Sequence, residues 1–430
     1  MSAMARAKQF VVVGDQMQLP PTSFGEKSFG EDQYEEDDAV EVEESAAVES
    51  ILELASAAYG NSKTLLWHYR SRDPSLIAFS NKEFYQNRLM LFPCPSAKSL
   101  TTGVKYVWVG GKYSTRTNVE EARTCAAAAI ESMRHYPDKS LGIVALNRPQ
   151  ADLIQLELDR LFHDNPGAEA YRAKWESSLE PIFVKNLETV QGDERDIVFV
   201  STVFGEDDSG RFFQRFGPIN SNVGHRRLNV LFTRAKHQLV VFTSLPPEKI
   251  VASETSNWGI RAFKSYLNFA RTGSLETGRA TGKSEDSPFE VGVRAALESV
   301  GFKCEPQVGV AGFFIDLGVI DPRAEDLFLA GVECDGAAYH STPSARDRDR
   351  LRQSVLESFG WKIYRIWSTD WFTDPHAQLQ KLASYLKELK AVPLRAGDRN
   401  GIDFPARFGK KQQLSEVKNG TDIGGDNGKS

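Results

Sequence analysis

The chain has 430 residues, 41% of them hydrophobic and 26% charged, with a formal net charge of -6. That length exceeds one ordinary domain of about 100 to 200 residues and predicts two or three, each with its own core. The acidic balance excludes a protein that coats nucleic acid with its whole surface, and the lack of an apolar run of roughly 20 residues or of a leader peptide excludes a membrane span and points to the cytoplasm.

In chain order, Gln9 to Gly14 (QFVVVG) is a short valine-rich run of the kind a buried parallel strand requires, ending in Gly14-Asp15 ahead of a loop. Glu26 to Glu49 is crowded with acids and poor in large apolar residues, so residues 25–49 are expected to form a solvated acidic insertion. From residue 50 to 271, helical and strand patterns alternate, the mark of one α/β domain. Within it Asn118 is placed to cap a helix, with Glu121 at the third helical position of a capping box. Strands are expected at Leu141 to Leu146, Ile197 to Thr202 and Gln238 to Thr243. Residues 272–287 have the composition of a linker, 288–392 form a second, smaller α/β unit, and the polar, glycine-rich 393–430 reads as a disordered tail. Cys94, Cys125, Cys304 and Cys334 include no CxxC pair, which speaks against a zinc knuckle or a disulfide framework and for reduced packing residues.

No phosphate loop of the form GxxxxGK[ST] is found: Gly278 to Ser284 (GRATGKS) has three residues between its glycines instead of four, and it follows a linker rather than a strand. Other strings occur in a telling order. Gly14-Asp15-Gln16-Met17-Gln18-Leu19-Pro20-Pro21 follows the first strand, where a glutamine can hydrogen-bond a γ-phosphate or an attacking water. Trp67-His68-Tyr69-Arg70-Ser71-Arg72 precedes a helix starting near Asp73-Pro74, and an arginine reaching across from a second domain can stabilise charge on a transferred phosphoryl group. Leu187 to Asp196 (LETVQGDERD) places Gly192 where a backbone can approach a ligand closely, and Arg226 to Lys236 (RRLNVLFTRAK) leads into a strand.

These strings resemble the GDxxQLPP, YR, QGxExD and RLNVAxTRA motifs of superfamily-one helicases, in their Upf-like branch, over the stretch from Gly14 to Lys236. Leu231-Phe232 depart from the commoner alanine-containing pair without touching the charged positions. The resemblance implies a RecA-like parallel-sheet helicase domain at 50–271, preceded at 1–24 by the residual edge of another. It implies that Gln18 senses ATP, that Arg70 and Arg234 are arginine fingers, and that Gln191, Gly192 and Glu194 lie at the nucleotide. It further implies that ATP with Mg2+ binds only together with a further RecA-like domain, so hydrolysis by this chain alone is not expected.

In the second unit, Glu290 starts a helix, the strand pattern at Phe313 to Val319 presents Asp316, and Leu329 to Gly336 presents Glu333 and Asp335 on one face, because strand side chains repeat every two residues. Such a set of oxygens suits Mg2+, which polarises a phosphodiester and acidifies an attacking water. Taken alone, Glu333-Cys334-Asp335-Gly336 also reads as a strand ending in a turn, and Arg346-Asp347-Arg348-Asp349-Arg350 as a solvated helix face with self-compensating charges.

The order of Glu290, Asp316, Glu333-x-Asp335 and His340, with the arginine block and Gly360 to Trp367 behind it, resembles the very-short-patch-repair-like branch of the PD-(D/E)xK nuclease fold. This implies a small α/β restriction-endonuclease-like domain in which Asp316, Glu333 and Asp335 hold Mg2+ while Glu290 and His340 join them in catalysis. Asp335 stands where the wider superfamily has lysine, so oxyanion stabilisation is expected from His340 or Arg350, or else the domain binds DNA without cutting it. The expected whole is the C-terminal portion of an ATP-dependent DNA helicase with a metal-dependent endonuclease, placed in DNA repair. The alternatives are a non-catalytic nucleic-acid-binding fragment and a truncated gene product.

Overall fold

The computed structural model describes residues 6–19, 50–96, 101–273, 287–310, 313–336, 343–394 and 401–410. The first unit opens with α1 (Ile51–Tyr59), β1 (Trp67–His68), α2 (Ser75–Glu83) and β2 (Met90–Leu91), and β1 pairs with β2 in a short parallel ladder. Then come β3 (Gly103–Trp108), α3 (Val119–His135), β4 (Leu141–Ala145), α4 (Arg148–His163), α5 (Pro166–Glu176), β5 (Phe183–Asn186), β6 (Arg195–Ser201), α6 (Gly224–Phe232), β7 (Ala235–Thr243) and α7 (Trp258–Thr272).

The strands from β3 to β7 form one parallel sheet in the order β3-β7-β6-β4-β5. Apolar runs such as Ile197 to Val200 have no polar face to give to water, so both faces of the sheet need helices. Leu76 and Phe79 of α2, Leu228 and Leu231 of α6 and Phe263 and Leu267 of α7 bury one face. Cys125 and Ala129 of α3, Ile154 and Leu158 of α4 and Tyr171 of α5 bury the other.

The second unit comprises α8 (Pro288–Ser299), β8 (Cys304–Val310), β9 (Phe313–Asp321), β10 (Ala324–Asp335), α9 (Pro343–Ser358), β11 (Ile363–Trp367), α10 (Ser368–Thr373) and α11 (Pro375–Ala391). Its sheet order is β11-β10-β9-β8, with β8, β9 and β10 antiparallel and β11 returning parallel to β10 through the crossover helix α9. Phe289 and Val293 of α8, Trp371 of α10 and Leu382 and Leu386 of α11 cover one face. On the other, Val308, Phe313, Ile315, Leu356 and Trp361 close around Phe92, which comes from the first unit.

That shared cluster is reinforced by hydrogen bonds to backbone carbonyls of the first unit. Trp361 Nε1 donates to Pro93 O at 2.9 Å, and Phe328 N donates to Pro95 O at 2.8 Å. Arg72 reaches from the loop after β1 to Ser358 Oγ, 3.2 Å away at the end of α9, with its guanidinium 5.0 Å from the Phe359 ring centre.

Three expectations need correction. Gln9 to Gly14 belongs to no described strand, and Val11 and Val13 are 81% and 79% exposed: a parallel strand is stable only beside a neighbour, and none of the described residues pairs with this run. Asn118 does cap α3, accepting from Glu121 N at 3.1 Å, but Glu121 does not close a capping box; it turns into the sheet, and Gln150 Oε1 takes the Asn118 amide instead. Finally, part of the expected tail is folded: α12 (Phe404–Phe408) docks on the first unit, with Phe404 fully buried against Phe199. Ile402 N donates to Tyr136 Oη at 2.7 Å and Lys410 N to Trp108 O at 2.7 Å, so residues 401–410 follow the edge at β3.

The acidic insertion, most of the linker and His340 lie outside the described residues. No helix among the described residues is long and apolar enough to cross a membrane.

Candidate active sites

The first candidate site lies where the loop before β6 and helix α6 meet the segment 6–19. Gly192 has φ of +90°, and no atom lies within 4 Å of where a Cβ would stand, so the demand for glycine is conformational rather than steric. Glu194 is held on both sides: Oε2 is 3.0 Å from Arg70 Nε, and Oε1 is 3.5 Å from Lys236 Nζ. Arg234 is buried, donating from Nε to Val230 O at 2.8 Å and from one terminal nitrogen to Asp193 O at 3.3 Å. Burial first, and then the positive charge of Arg70, lower its pKa. Two guanidinium groups are thus held within electrostatic reach of each other, an arrangement that an arriving polyanion would relieve.

The Gln18 segment seats on the same place. Asn229 Nδ2 donates to Met17 O at 2.8 Å and to Tyr85 Oη at 2.9 Å, and Tyr85 Oη donates to Asp15 Oδ2 at 2.6 Å. Gln18 Nε2 donates to Asp15 Oδ2 at 3.0 Å, and Gln191 Nε2 reaches Leu19 O at 3.3 Å. Gln18, Arg70, Gln191, Gly192, Glu194 and Arg234 therefore meet at one locus although they are spread over most of the first unit. Tyr85 was not singled out from the sequence; a tyrosine after a helix carries no local signal of a carboxylate brought from far along the chain.

The second candidate site lies at the β9 and β10 strands. Asp316 Oδ2 accepts from Cys334 N at 2.7 Å, which ties the two strands together at the site. Glu333 is buried and lies 3.4 Å from a terminal nitrogen of Arg352 on α9; Asp335 is 3.2 Å from a terminal nitrogen of Arg365 on β11. Glu290 is buried on α8, accepting from Ser287 Oγ at 2.9 Å and from Gln307 Nε2 at 2.9 Å. Gln307 holds φ of +50°, a left-handed conformation unfavourable for its residue type.

Burial, with the charges of Glu290 and Asp335 behind it, raises Asp316 to about 6. Burial, with Asp316 and Asp335 behind it, raises Glu333 to about 7 despite Arg352 and Arg365. Four carboxylates against two guanidinium groups leave two negative charges uncompensated when all are ionised, and hard oxygens with that surplus fit a divalent cation.

A ready-made trio is nevertheless not what forms: among the described residues, no group of three or more His, Cys, Asp or Glu side chains is disposed to hold a metal ion. Glu333 and Asp335 each face an arginine instead. A cation that takes one or two carboxylates and keeps its waters remains compatible with the donor set. Arg350 is exposed on α9, whereas Arg352, two residues on, is the one that faces the carboxylates.

Comparison with known proteins bears on both sites. Residues 47–245 match the AAA_12 family, described as an AAA domain, and residues 289–386 match the REase_MTES_1575 family. The chain is 27% identical over 412 residues to the "Uncharacterized ATP-dependent helicase MG140" of Mycoplasma genitalium, covering 89% of this chain and 35% of that protein. It is 28% identical over 402 residues to the homolog of that helicase in Mycoplasma pneumoniae, with the same coverage of 89% and 35%. Helicase sen1 of Schizosaccharomyces pombe is 25% identical over 261 residues, which is 56% of this chain and 13% of that one. The chain thus spans about a third of the length of the first two relatives. A solved C-terminal domain of a possible DNA helicase from a Lactobacillus is 18% identical, covering 41% of this chain and 86% of its own, with a TM-score of 0.24.

The first unit is thus similar to an AAA domain of the kind found in helicases, and the second to a restriction-endonuclease-like family. Over most of its length the chain is similar to proteins named as ATP-dependent helicases.

Proposed function

We propose that this chain is the nucleotide-sensing and strand-cutting portion of an ATP-dependent DNA helicase, with a Mg2+-dependent endonuclease centre in its second unit. The observation that carries this reading is the meeting of Asp316, Glu333, Asp335 and Glu290 in a unit matching the REase_MTES_1575 family. From the set Asp316, Glu333 and Asp335, one or two carboxylates would hold Mg2+ directly and the rest through its waters, and the ion when bound polarises a phosphodiester and acidifies water. The Cys334 amide keeps Asp316 oriented, and Ser287 and Gln307 keep Glu290 turned inward. His340 is proposed to join the catalytic set by stabilising the oxyanion.

In the first unit, Arg70 and Arg234 would neutralise the γ-phosphate, Gln18 would sense it, and Gln191, Gly192 and Glu194 would line the ribose side. This site would work with a further RecA-like domain, ATP lying between the two. The partner is nucleic acid, DNA by preference over RNA, and the setting is cytoplasmic DNA repair.

The test is nicking of supercoiled plasmid by the full chain in Mg2+. Asp316→Ala is expected to lower the rate at least about 100-fold while leaving the melting temperature near that of the parent. If the parent cuts neither DNA nor RNA, the nuclease reading fails. The ion pairs on Glu333 and Asp335 favour a second reading, a module that holds nucleic acid without chemistry, and that same null result with retained DNA binding would select it.

A further inference from the structure

A nuclease centre with surplus negative charge must still admit an anionic phosphodiester, and something has to offset the repulsion. Among the described residues, the cations beside these carboxylates are Arg352 and Arg365. We infer that these two arginines form the site's phosphate-binding pair, each receiving a non-bridging oxygen of the nucleic-acid backbone. This rests on the nuclease-like reading of the second unit and names the residues through which that site would take its substrate.

The donors argue for it. Arg352 uses only one terminal nitrogen, on Phe314 O at 2.6 Å and on Glu333, and its Nε is buried without an acceptor. Arg365 likewise uses one terminal nitrogen, on Asp335, and its Nε too is buried and unpartnered. Nη1 of Arg352 and Nη2 of Arg365 donate to none of the described residues, so each guanidinium keeps a terminal nitrogen as spare capacity beside the cluster. The planar, fixed N-H groups of a guanidinium match phosphate oxygens in a way an ammonium does not.

Their placement is also fixed in advance. The Arg352 guanidinium carbon lies 4.2 Å from the Phe313 ring centre, which sets its plane, and about a quarter of each side chain remains exposed. They approach from different elements, α9 and β11, and each one faces a different carboxylate of β10. Asp335 is itself bonded to Arg365, which puts a positive charge on the neighbouring strand beside the carboxylates.

The experiment uses the full chain and a fluorescent DNA duplex, with binding read by anisotropy in Ca2+ and cleavage read in Mg2+. Arg352→Met and Arg365→Met are each expected to weaken duplex binding about tenfold and to lower the slope of log K against log salt by about 0.9, the signature of one lost phosphate contact. Arg352→Lys is expected to restore that slope but not the cleavage rate, since charge returns and the fork does not. Unchanged affinity and slope in both methionine variants would overturn the pair even if the parent cuts DNA. A parent that fails to cut but whose binding depends on both arginines would support the pair while removing the nuclease reading. If Arg352→Met fails to fold, Arg365→Met and Arg352→Lys still decide: parental slope in the first with parental cleavage in the second overturns the inference.

Discussion

Glu121 lies wholly out of solvent, accepting from Ser201 Oγ at 2.8 Å, Val203 N at 2.7 Å and Ser244 Oγ at 2.9 Å. Burial outweighs these donors and raises its pKa from 4.5 to about 7. The folded state therefore keeps the proton up to about pH 7, whereas the unfolded chain releases it near 4.5. Between those values the folded form binds more protons, so this residue makes stability fall as pH rises, by up to about 3 kcal/mol across the window. Glu121→Gln is expected to flatten that slope, as read by urea denaturation at pH 5 and pH 8. An unchanged pH gradient in the variant would show that the carboxylate stays ionised throughout. The same residue illustrates how far a sequence reading carries: Asn118 followed by Glu121 was legible as a cap, but the three donors that capture Glu121 come from positions 80 or more residues away.

At the level of elements, Ile219 O is wedged between two helix starts. A Cβ on Gly224, at the head of α6, would lie 2.1 Å from that oxygen, and one on Gly259, in the first turn of α7, would lie 2.2 Å from it. Because the obstacle is backbone, a side-chain rotation cannot relieve it. Gly224→Ala is expected to cost roughly 2 kcal/mol or more and to displace α6, which carries Asn229 and leads to Arg234. Chemical denaturation measures the first effect, and loss of protection of the Asn229 region in hydrogen exchange measures the second. Of the elements themselves, β4, β6 and β7 announced themselves as apolar runs, and the carboxylate face of β10 as an alternation of period two. Arg352 and Arg365 stayed hidden because they converge from α9 and β11, and convergence across elements has no period to read. The segment at 401–410 stayed hidden for another reason: Ile402, Phe404 and Phe408 are few apolar residues in a polar, glycine-rich stretch, and only the groove at β3 and α3 makes them a buried set.

Taken whole, the two units share a core rather than merely a linker. Phe92 is buried among Val308, Phe313, Ile315, Leu356 and Trp361, and the docked 401–410 segment adds a second attachment, with Arg407 3.1 Å from Glu131. Cutting an engineered protease site placed within 274–286 is therefore expected to leave the two fragments co-eluting in size-exclusion chromatography. Phe92→Ala combined with removal of 401–430 is expected to separate them after the cut, since truncating a buried phenylalanine typically costs about 3 to 5 kcal/mol. Fragments that part in the parent without either change would show that the linker alone had held them.

The return of the chain at 401–410 also determines how the molecule bears tension. Residues 6–19 and 401–410 both rest on the first unit, so the second unit is wired as a loop hung from it. A pull between these two ends is carried first by the short helix α12 and the β3 edge, and it bypasses the carboxylate centre until that attachment gives way.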